Sequence, residues 1–316
     1  MTEVAGSEPA IHVRDLHKSY GEYEAVRGID LDIAVGEIFG FLGPNGAGKS
    51  TTIEILEGYR RRTQGDAWVL GVDPGKPTRE WRQRIGLVLQ DSQLEPTLTV
   101  RETVTMFSDF YPKPRPVDET IELVGLKEKR DARVGTLSGG QRRRADVAVA
   151  IVGDPELIFL DEPTTGFDPS ARREAWNMIE GLKSLGKTIF LTTHYMDEAQ
   201  HLADRVAILA AGKIVARGRP EELGGATEQA AVIRFRVPDG VTLEQLRSAA
   251  QAPVEIAGSE ASIQSEDPQA VLYRLLGWAE REGRKLEALE VSRPSLEDVF
   301  LQLTGGTPQT AEEVAA

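Results

Sequence analysis

Glu37-Ile38-Phe39-Gly40-Phe41-Leu42 followed by Gly43-Pro44-Asn45-Gly46-Ala47-Gly48-Lys49-Ser50-Thr51 is the stretch that decides how the chain folds. The first six residues are apolar enough for a short buried strand. The next eight fit the pattern G-x-x-x-x-G-K-[ST], and from Ser50 to residue 59 the spacing turns helical. Each position has a physical task. The glycines let the backbone turn tightly and aim successive N–H groups at phosphate oxygens, and the helix that follows adds its positive N-terminus. Lys49 supplies a full charge to the β/γ phosphates, and the Ser50 hydroxyl is a magnesium ligand. A glycine-rich turn with a chance lysine would need neither the strand before it nor the helix after it. The stretch predicts a nucleotide site covering residues 43–51.

Outward from this point, residues 11–33 alternate and contain Gly21 and Gly28, which predicts two or three antiparallel strands. Residues 69–70 and 85–89 are further strand candidates. Between 91 and 153 the character becomes helical, with helices expected at 100–110, 117–124 and 141–152 around the proline-rich 111–116. Then come a strand at 157–160, a helix at 171–185, a strand at 188–192, a helix at 196–203 and a strand pair at 205–209 and 213–216. Strands alternating with helices predict a mostly parallel sheet covered by helices, an α/β P-loop NTPase core with an antiparallel β subdomain and a helical subdomain.

Residues 224–228 have the composition of a linker. Beyond them the order is strand (231–237), helix (242–250), strands (254–256 and 261–264), helix (268–283) and strand (286–291). That is the ferredoxin-like β-α-β-β-α-β order, a small α+β domain. A last helix is expected at 295–304, capped by Ser295. The expected division is a flexible start (1–10), a nucleotide domain (11–223, with its helical part at about 91–153), an accessory domain (229–304) and a disordered tail (305–316).

Leu157-Ile158-Phe159-Leu160-Asp161-Glu162 delivers two acids at the C-terminal end of an apolar strand, where open α/β sheets bind ligands. Asp161 is placed to hold magnesium, usually through water, and Glu162 to polarise an attacking water as general base. Composition removes several other chemistries. With no cysteine there is no disulfide, thiolate metal site or cysteine nucleophile. The 37 basic residues against 50 acidic give a net charge of −13, opposite to the basic footprint of nucleic-acid binders, so no nucleic-acid partner is expected. No apolar run approaches the roughly 18 residues of a membrane-spanning helix, so any membrane role has to pass through a partner.

Leu137-Ser138-Gly139-Gly140-Gln141, ahead of Asp161-Glu162-Pro163, resembles the signature motif of the ATP-binding cassette family. That resemblance spans residues 11–223 and implies further roles. Tyr20, in Lys18-Ser19-Tyr20-Gly21, resembles the aromatic that stacks on adenine. Gln90 resembles the Q-loop glutamine that touches magnesium and links the site to the membrane partner. Asp168, in Gly166-Phe167-Asp168-Pro169, resembles the loop ordering the dimer interface, although Phe167 stands where relatives usually carry leucine. His194 resembles the switch histidine on the γ-phosphate, while His12, His17 and His201 read as structural. Ser138, Gly139, Gly140 and Gln141 would face the γ-phosphate held by a second copy.

The resemblance therefore implies an ATP- and magnesium-dependent ATPase with Glu162, His194 and Lys49 as its catalytic groups. It implies a homodimer acting on a separately encoded permease, with residues 91–152 receiving the permease's cytoplasmic helices on the inner face of the membrane. His194-Tyr195-Met196-Asp197-Glu198-Ala199 and Pro294-Ser295-Leu296-Glu297-Asp298-Val299-Phe300-Leu301 are similar to the daunorubicin-resistance type of bacterial exporter ATPase, which moves drugs, lipids or polysaccharides outwards. The competing readings are a cassette ATPase acting on DNA or ribosomes, and a regulatory cassette that binds ATP without hydrolysing it. The first usually carries coiled coils, zinc motifs or paired cassettes, and the second usually lacks the glutamate or the histidine.

Overall fold

The computed structural model describes residues 8–89, 93–223, 231–292, 296–297 and 299–300. Its contacts divide the chain into two units, Met1–Arg219 and Pro220–Ala316. The division falls just ahead of the boundary drawn from composition at residue 223, and the linker drawn at 224–228 lies outside the described residues, as do Gln90, Ser295, most of the helix drawn at 295–304 and the tail drawn at 305–316.

In the first unit, β1 (Ile11–Tyr20) and β2 (Tyr23–Ile33) form a hairpin running from Ile11 opposite Ile33 to Tyr20 opposite Tyr23. β3 (Ile38–Leu42) then feeds α1 (Lys49–Leu56), and β4 (Gln64–Val69) returns antiparallel to β1. The alternation at 11–33 thus resolves into two long strands. β4 begins five residues before the expected strand at 69, because Gln64-Gly65-Asp66 carries no apolar signal. It ends before Leu70, whose φ of +50° takes it out of extended geometry. α2 (Arg79–Arg82), a single turn capped by Thr78, had no periodic signal to announce it.

β5 (Ile85–Val88) is followed by α3 (Val100–Ser108), α4 (Val117–Leu123) and α5 (Gly139–Ile151). Next come β6 (Leu157–Asp161), α6 (Pro169–Ser184), β7 (Thr188–Thr193), α7 (Met196–Leu202), β8 (Arg205–Ala210) and β9 (Lys213–Gly218). The large sheet runs β5-β6-β7-β3-β8-β9, parallel throughout except for β9. α5 starts two residues earlier than the periodicity indicated. Two glycines lower helix propensity there, but Ser138 supplies a capping box with Gln141.

Both faces of this sheet are buried, so its strands read as continuous apolar runs while their side chains still alternate. Phe39, Phe41, Phe159 and Phe190 point to one side, toward the hairpin sheet, with Phe159 and Phe41 each packed 5.5–5.7 Å from the Phe190 ring. Ile38, Ile158, Leu160, Ile189 and Leu191 point to the other, into the layer of helices. The C-terminal ends of β3, β6 and β7 therefore leave one edge of a rigid, two-sided core, which is where the candidate site stands.

The second unit comprises α8 (Pro220–Leu223), β10 (Ala231–Arg236), α9 (Leu243–Ala250), β11 (Glu255–Ala257), β12 (Glu260–Ser265), α10 (Pro268–Arg281) and β13 (Glu287–Ser292). Its sheet order is β11-β12-β10-β13, antiparallel throughout, which is the ferredoxin-like arrangement. It has its own core, centred on Ile233, Phe235, Leu246, Ile263 and Leu275. Among the described residues no helix is long and apolar enough to cross a membrane.

Trp81 closes the first core near the foot of α1. It is 1% exposed and its Nε1–H donates to the Val69 carbonyl at 2.8 Å. Trp81→Ala removes a large buried ring and orphans that acceptor, so it should cost roughly 3–5 kcal/mol. Equilibrium denaturation of the two proteins measures the difference.

Candidate functional site

Close backbone approach shapes the loop from 43 to 50. A Cβ on Gly43 would lie 2.6 Å from the Leu209 carbonyl oxygen, and one on Gly48 (φ +106°) would lie 2.5 Å from the Ala25 carbonyl oxygen. Both positions require glycine, because the opposing atoms are backbone. The loop is thereby clamped between β2 and β8, and the first turn of α1 faces outward at Ser50.

Lys49 is 5% exposed. Its Nζ donates to the Gly43 carbonyl at 2.7 Å and the Pro44 carbonyl at 3.3 Å, and lies 3.7 Å from Glu162 Oε1. Burial holds the Lys49 ammonium below the ordinary lysine range, opposed by the charges of Glu162 and Asp161. A partly desolvated cation in a cradle of N–H groups is well matched to a phosphate.

β6 and β7 place the acids. Asp161 takes a hydrogen bond from the Thr192 hydroxyl, and burial pushes its carboxyl above the ordinary aspartate value. Glu162 has φ of +45°, a left-handed conformation that costs a non-glycine residue energy. Its N–H is held 3.1 Å from both the Thr192 carbonyl and the Thr192 hydroxyl, which fixes the strained residue against β7. The Glu162 carboxylate also accepts from the Thr165 hydroxyl at 3.2 Å. His194 Nδ1 stands 3.3 Å from Glu162 Oε2, yet the two are not aligned as a hydrogen bond and Nδ1 is buried without a hydrogen-bond partner. The His194 ring is nonetheless the first cause that holds the Glu162 carboxyl below the ordinary range, against burial, which raises it.

Two clefts flank this centre. One, of about 610 Å³, is lined by Tyr20, Asn45, Gly46, Lys49, Glu162 and His194, with Gly48, Ser50 and Thr51 also on its wall. The other, of about 520 Å³, is lined by Ser138, Gly139, Gly140, Phe167 and Asp168, and shares Glu162 and Thr165 with the first. The structure thus gathers the loop lysine, the strand glutamate and the histidine into one cleft, and sets Ser138 and Asp168 in the neighbouring one. Within that second cleft Asp168 accepts from the N–H groups of Ser170 and Ala171 at 2.9 Å each, as the cap of α6. Ser138 and Gln141 cap α5 in the same way, Gln141 accepting from the Ser138 N–H at 3.1 Å. Pro44 and Ala47 shape the loop, with Ala47 buried beneath it.

Tyr20 is 40% exposed, with Lys18 Nζ 5.0 Å and the Arg60 guanidinium 5.3 Å from its ring centre. Tyr23 lines the same cleft, and sequence reasoning missed it because it sits beyond the turn, outside any motif. Thr165, Thr192 and Arg143 were also missed. Arg143, on α5, donates to the Asp161 carbonyl at 2.7 Å and to the Leu89 carbonyl, joining the helical layer to the strand that carries the acids. These residues belong to no short pattern, and only pairing of β6 with β7 brings Thr192 opposite Asp161.

Residues 26–165 match the family described as ABC transporter, and residues 231–295 match the ABC transporter domain-containing protein-like, C-terminal domain. The Nod factor export ATP-binding protein I of Rhizobium meliloti (strain 1021) is 40% identical, with 96% of this chain and 91% of the relative covered. That of Burkholderia orbicola (strain AU 1054) is 39% identical, with 93% and 97% covered. Among solved structures, cbiO1 of Clostridium perfringens, part of the ABC transporter complex cbiONQ, superposes with a TM-score of 0.63 at 28% identity, covering 69% of this chain and 91% of that one. A dimeric ATP-binding cassette in a post-hydrolysis state, bound to ADP and Pi, gives 0.59 at 25% identity, covering 66% and 98%.

The lowered Glu162 carboxyl has a consequence for stability against pH. Its contacts with His194 and Lys49 favour the ionised form, so their contribution is fully present above the ordinary glutamate value of 4.5 and is lost as pH falls through the lower native value. The stability difference between wild type and Glu162→Gln should therefore shift in favour of the variant as pH falls below 4.5. Urea titrations across the range measure it.

Proposed function

The chain belongs to the ABC transporter family, and we propose that it is the ATP-hydrolysing subunit of an export system, working as two copies on a separately encoded membrane permease. The observation that carries this reading is the division of the site into two clefts. Lys49, Glu162 and His194 share one, and Ser138 lines the neighbouring one, a separation that suits a phosphate brought to Ser138 by a second copy. ATP touching both copies favours the closed pair, and loss of the γ-phosphate removes the bridge.

In this reading Lys49 and the N–H groups of residues 43–51 hold the β and γ phosphates, and Tyr20 offers its ring to the adenine. Glu162, kept ionised by its neighbours, orients and deprotonates the attacking water, and His194 contacts the γ-phosphate beside it. Ser138, Gly139, Gly140 and Gln141, at the N-terminus of α5 in the second copy, add N–H groups and helix dipole where charge grows in the transition state.

Magnesium suits the oxygen groups at hand. Ser50 exposes a hydroxyl at the start of α1, and Asp161 brings a half-buried carboxyl with one oxygen fixed by Thr192. Among the described residues no three acidic or histidine groups are arranged so that they alone could hold a metal ion. A small oxygen set completed by phosphates and water is what magnesium takes, whereas a dedicated protein cage is not. Bound there, the ion neutralises phosphate charge.

For the permease, the groove between α1 and the helical layer offers a seat. It is lined by Glu57, Tyr59, Leu87, Phe107, Tyr111 and Val149. Tyr59 is 82% exposed, and the neighbouring Phe110 is 63% exposed. An apolar surface of this kind suits a short amphipathic helix. Export is the direction carried in the names of the Nod factor relatives, and the cargo class proposed is a drug, lipid or polysaccharide.

Glu162→Gln tests the reading. With ATP and magnesium the variant should bind nucleotide as tightly as wild type, elute as a dimer, and turn over at least about 100-fold more slowly. Wild-type turnover, or a nucleotide-loaded monomer, would remove Glu162 and the paired arrangement from the mechanism.

A further inference from the structure

His194 is held by none of its own ring's hydrogen bonds. Nδ1 is buried and faces Glu162 Oε2 at 3.3 Å without hydrogen-bond alignment, and the ring leans on Tyr195 with centres 4.1 Å apart. Its placement beside Glu162 must come from the chain on either side of it. On one side is β7. On the other is α7, and α7 is anchored by a residue that the site described above does not use.

Glu198, in the first turn of α7, is completely buried. Its Oε1 accepts from the Thr164 hydroxyl at 2.8 Å and from Trp176 Nε1–H at 3.2 Å. Thr164 lies two residues beyond Glu162, and Trp176 lies on α6, the helix that Asp168 caps. One carboxyl oxygen thus joins three segments: the turn after Glu162, the helix after Asp168 and the helix after His194. Arg172 reinforces the junction from the surface, its guanidinium 4.3 Å over the Tyr195 ring and 3.1 Å from Asp197 Oδ2.

We propose that Glu198 is a positioning residue for ATP hydrolysis, fixing the segment that carries His194 in register with the turn that carries Glu162. This rests on the reading of His194 as a group that acts on the γ-phosphate. Burying a carboxyl completely is costly unless it is hydrogen-bonded, and Oε2 has no well-aligned hydrogen bond although the Thr193 side chain on β7 also favours the ionised form, so packing alone would favour an apolar residue here. Burial also pushes the Glu198 carboxyl above the ordinary glutamate range, which makes an amide a close substitute for it.

The experiment is a double-mutant cycle on the full-length protein, reading the single-turnover rate of ATP hydrolysis and, for each variant, the stoichiometry of bound ATP. Glu198→Leu keeps the volume and deletes the acceptor. It should slow the chemical step about 10- to 100-fold, as a small misplacement of a catalytic group does, while leaving bound ATP at the wild-type ratio. Glu198→Gln, which keeps the acceptor oxygen, should recover most of the rate. In a His194→Ala background Glu198→Leu should cause no further loss, because its effect passes through the histidine.

Rate losses that multiply in the double variant would overturn the inference and leave the role of His194 standing. A Glu198→Gln protein as slow as Glu198→Leu would overturn it too. A His194→Ala protein of wild-type rate would instead overturn the reading on which the inference rests. If Glu198→Leu does not fold, Thr164→Val, which removes a donor to the same oxygen at nearly constant volume, carries the same cycle.

Discussion

An ammonium taken out of water has to be surrounded by oxygen, and around Lys49 three oxygens come from two parts of the chain. Two are carbonyls of its own loop, and the third is the carboxylate of Glu162 at 3.7 Å. The loop can curl back far enough to present its carbonyls because Gly43 and Gly48 allow backbone contacts that any side chain would block. The carboxylate is within reach because β6 ends beside the loop and Glu162 accepts a left-handed conformation there. The sheet order, the buried phenylalanines beneath it and the Thr192 clamp all serve that one juxtaposition. Without the rigid two-sided core, the energy stored at Glu162 would relax and the lysine would lose its counter-charge.

From this centre the division of labour follows. Lys49, Ser50 and His194 open on one cleft, and Ser138 and Asp168 open on another, with Glu162 and Thr165 between them. The cap of α5 is built from residues that the family resemblance aims at a neighbouring copy's nucleotide, and the cap of α6 from Asp168, which it assigns to the dimer interface. Cap and interface are compatible, because N–H groups at a helix start that remain free after capping are the ones able to meet an anion. On the proposed reading a helix end doubles as structure within one chain and as half of a nucleotide site in the pair.

Much of this was legible in the residues before any coordinates. The stretch 37–51 carried strand, loop and helix in order, and 157–162 carried a strand with its acids at the correct end. Short patterns are legible where the chemistry uses consecutive residues. The C-terminal order of strands and helices was legible too, because alternation with period 2 and period 3.6 switches cleanly there. The remainder depended on partners distant in sequence. Thr192 lies opposite Asp161 only through parallel pairing, Arg143 reaches two strands from a helix, and Trp176 finds Glu198 across two helices. No local pattern encodes such pairs. Helix starts shifted for a local reason: glycine at 139 and 140 hid the first turn of α5, which the Ser138 cap restores.

The central claim is that each working site is shared between two copies, and mixing two inactive variants tests it most directly. Lys49→Ala damages the loop side of both sites in its own dimer, and Ser138→Arg damages the capping side of both sites in its own. A mixed dimer retains one site with an intact Lys49 from one chain and an intact Ser138 from the other. Co-assembling equal amounts should restore roughly a quarter of wild-type ATP turnover, since half the dimers are mixed and each has one good site of two. A mixture that stays as inactive as its components would contradict the account and place the complete site within a single chain.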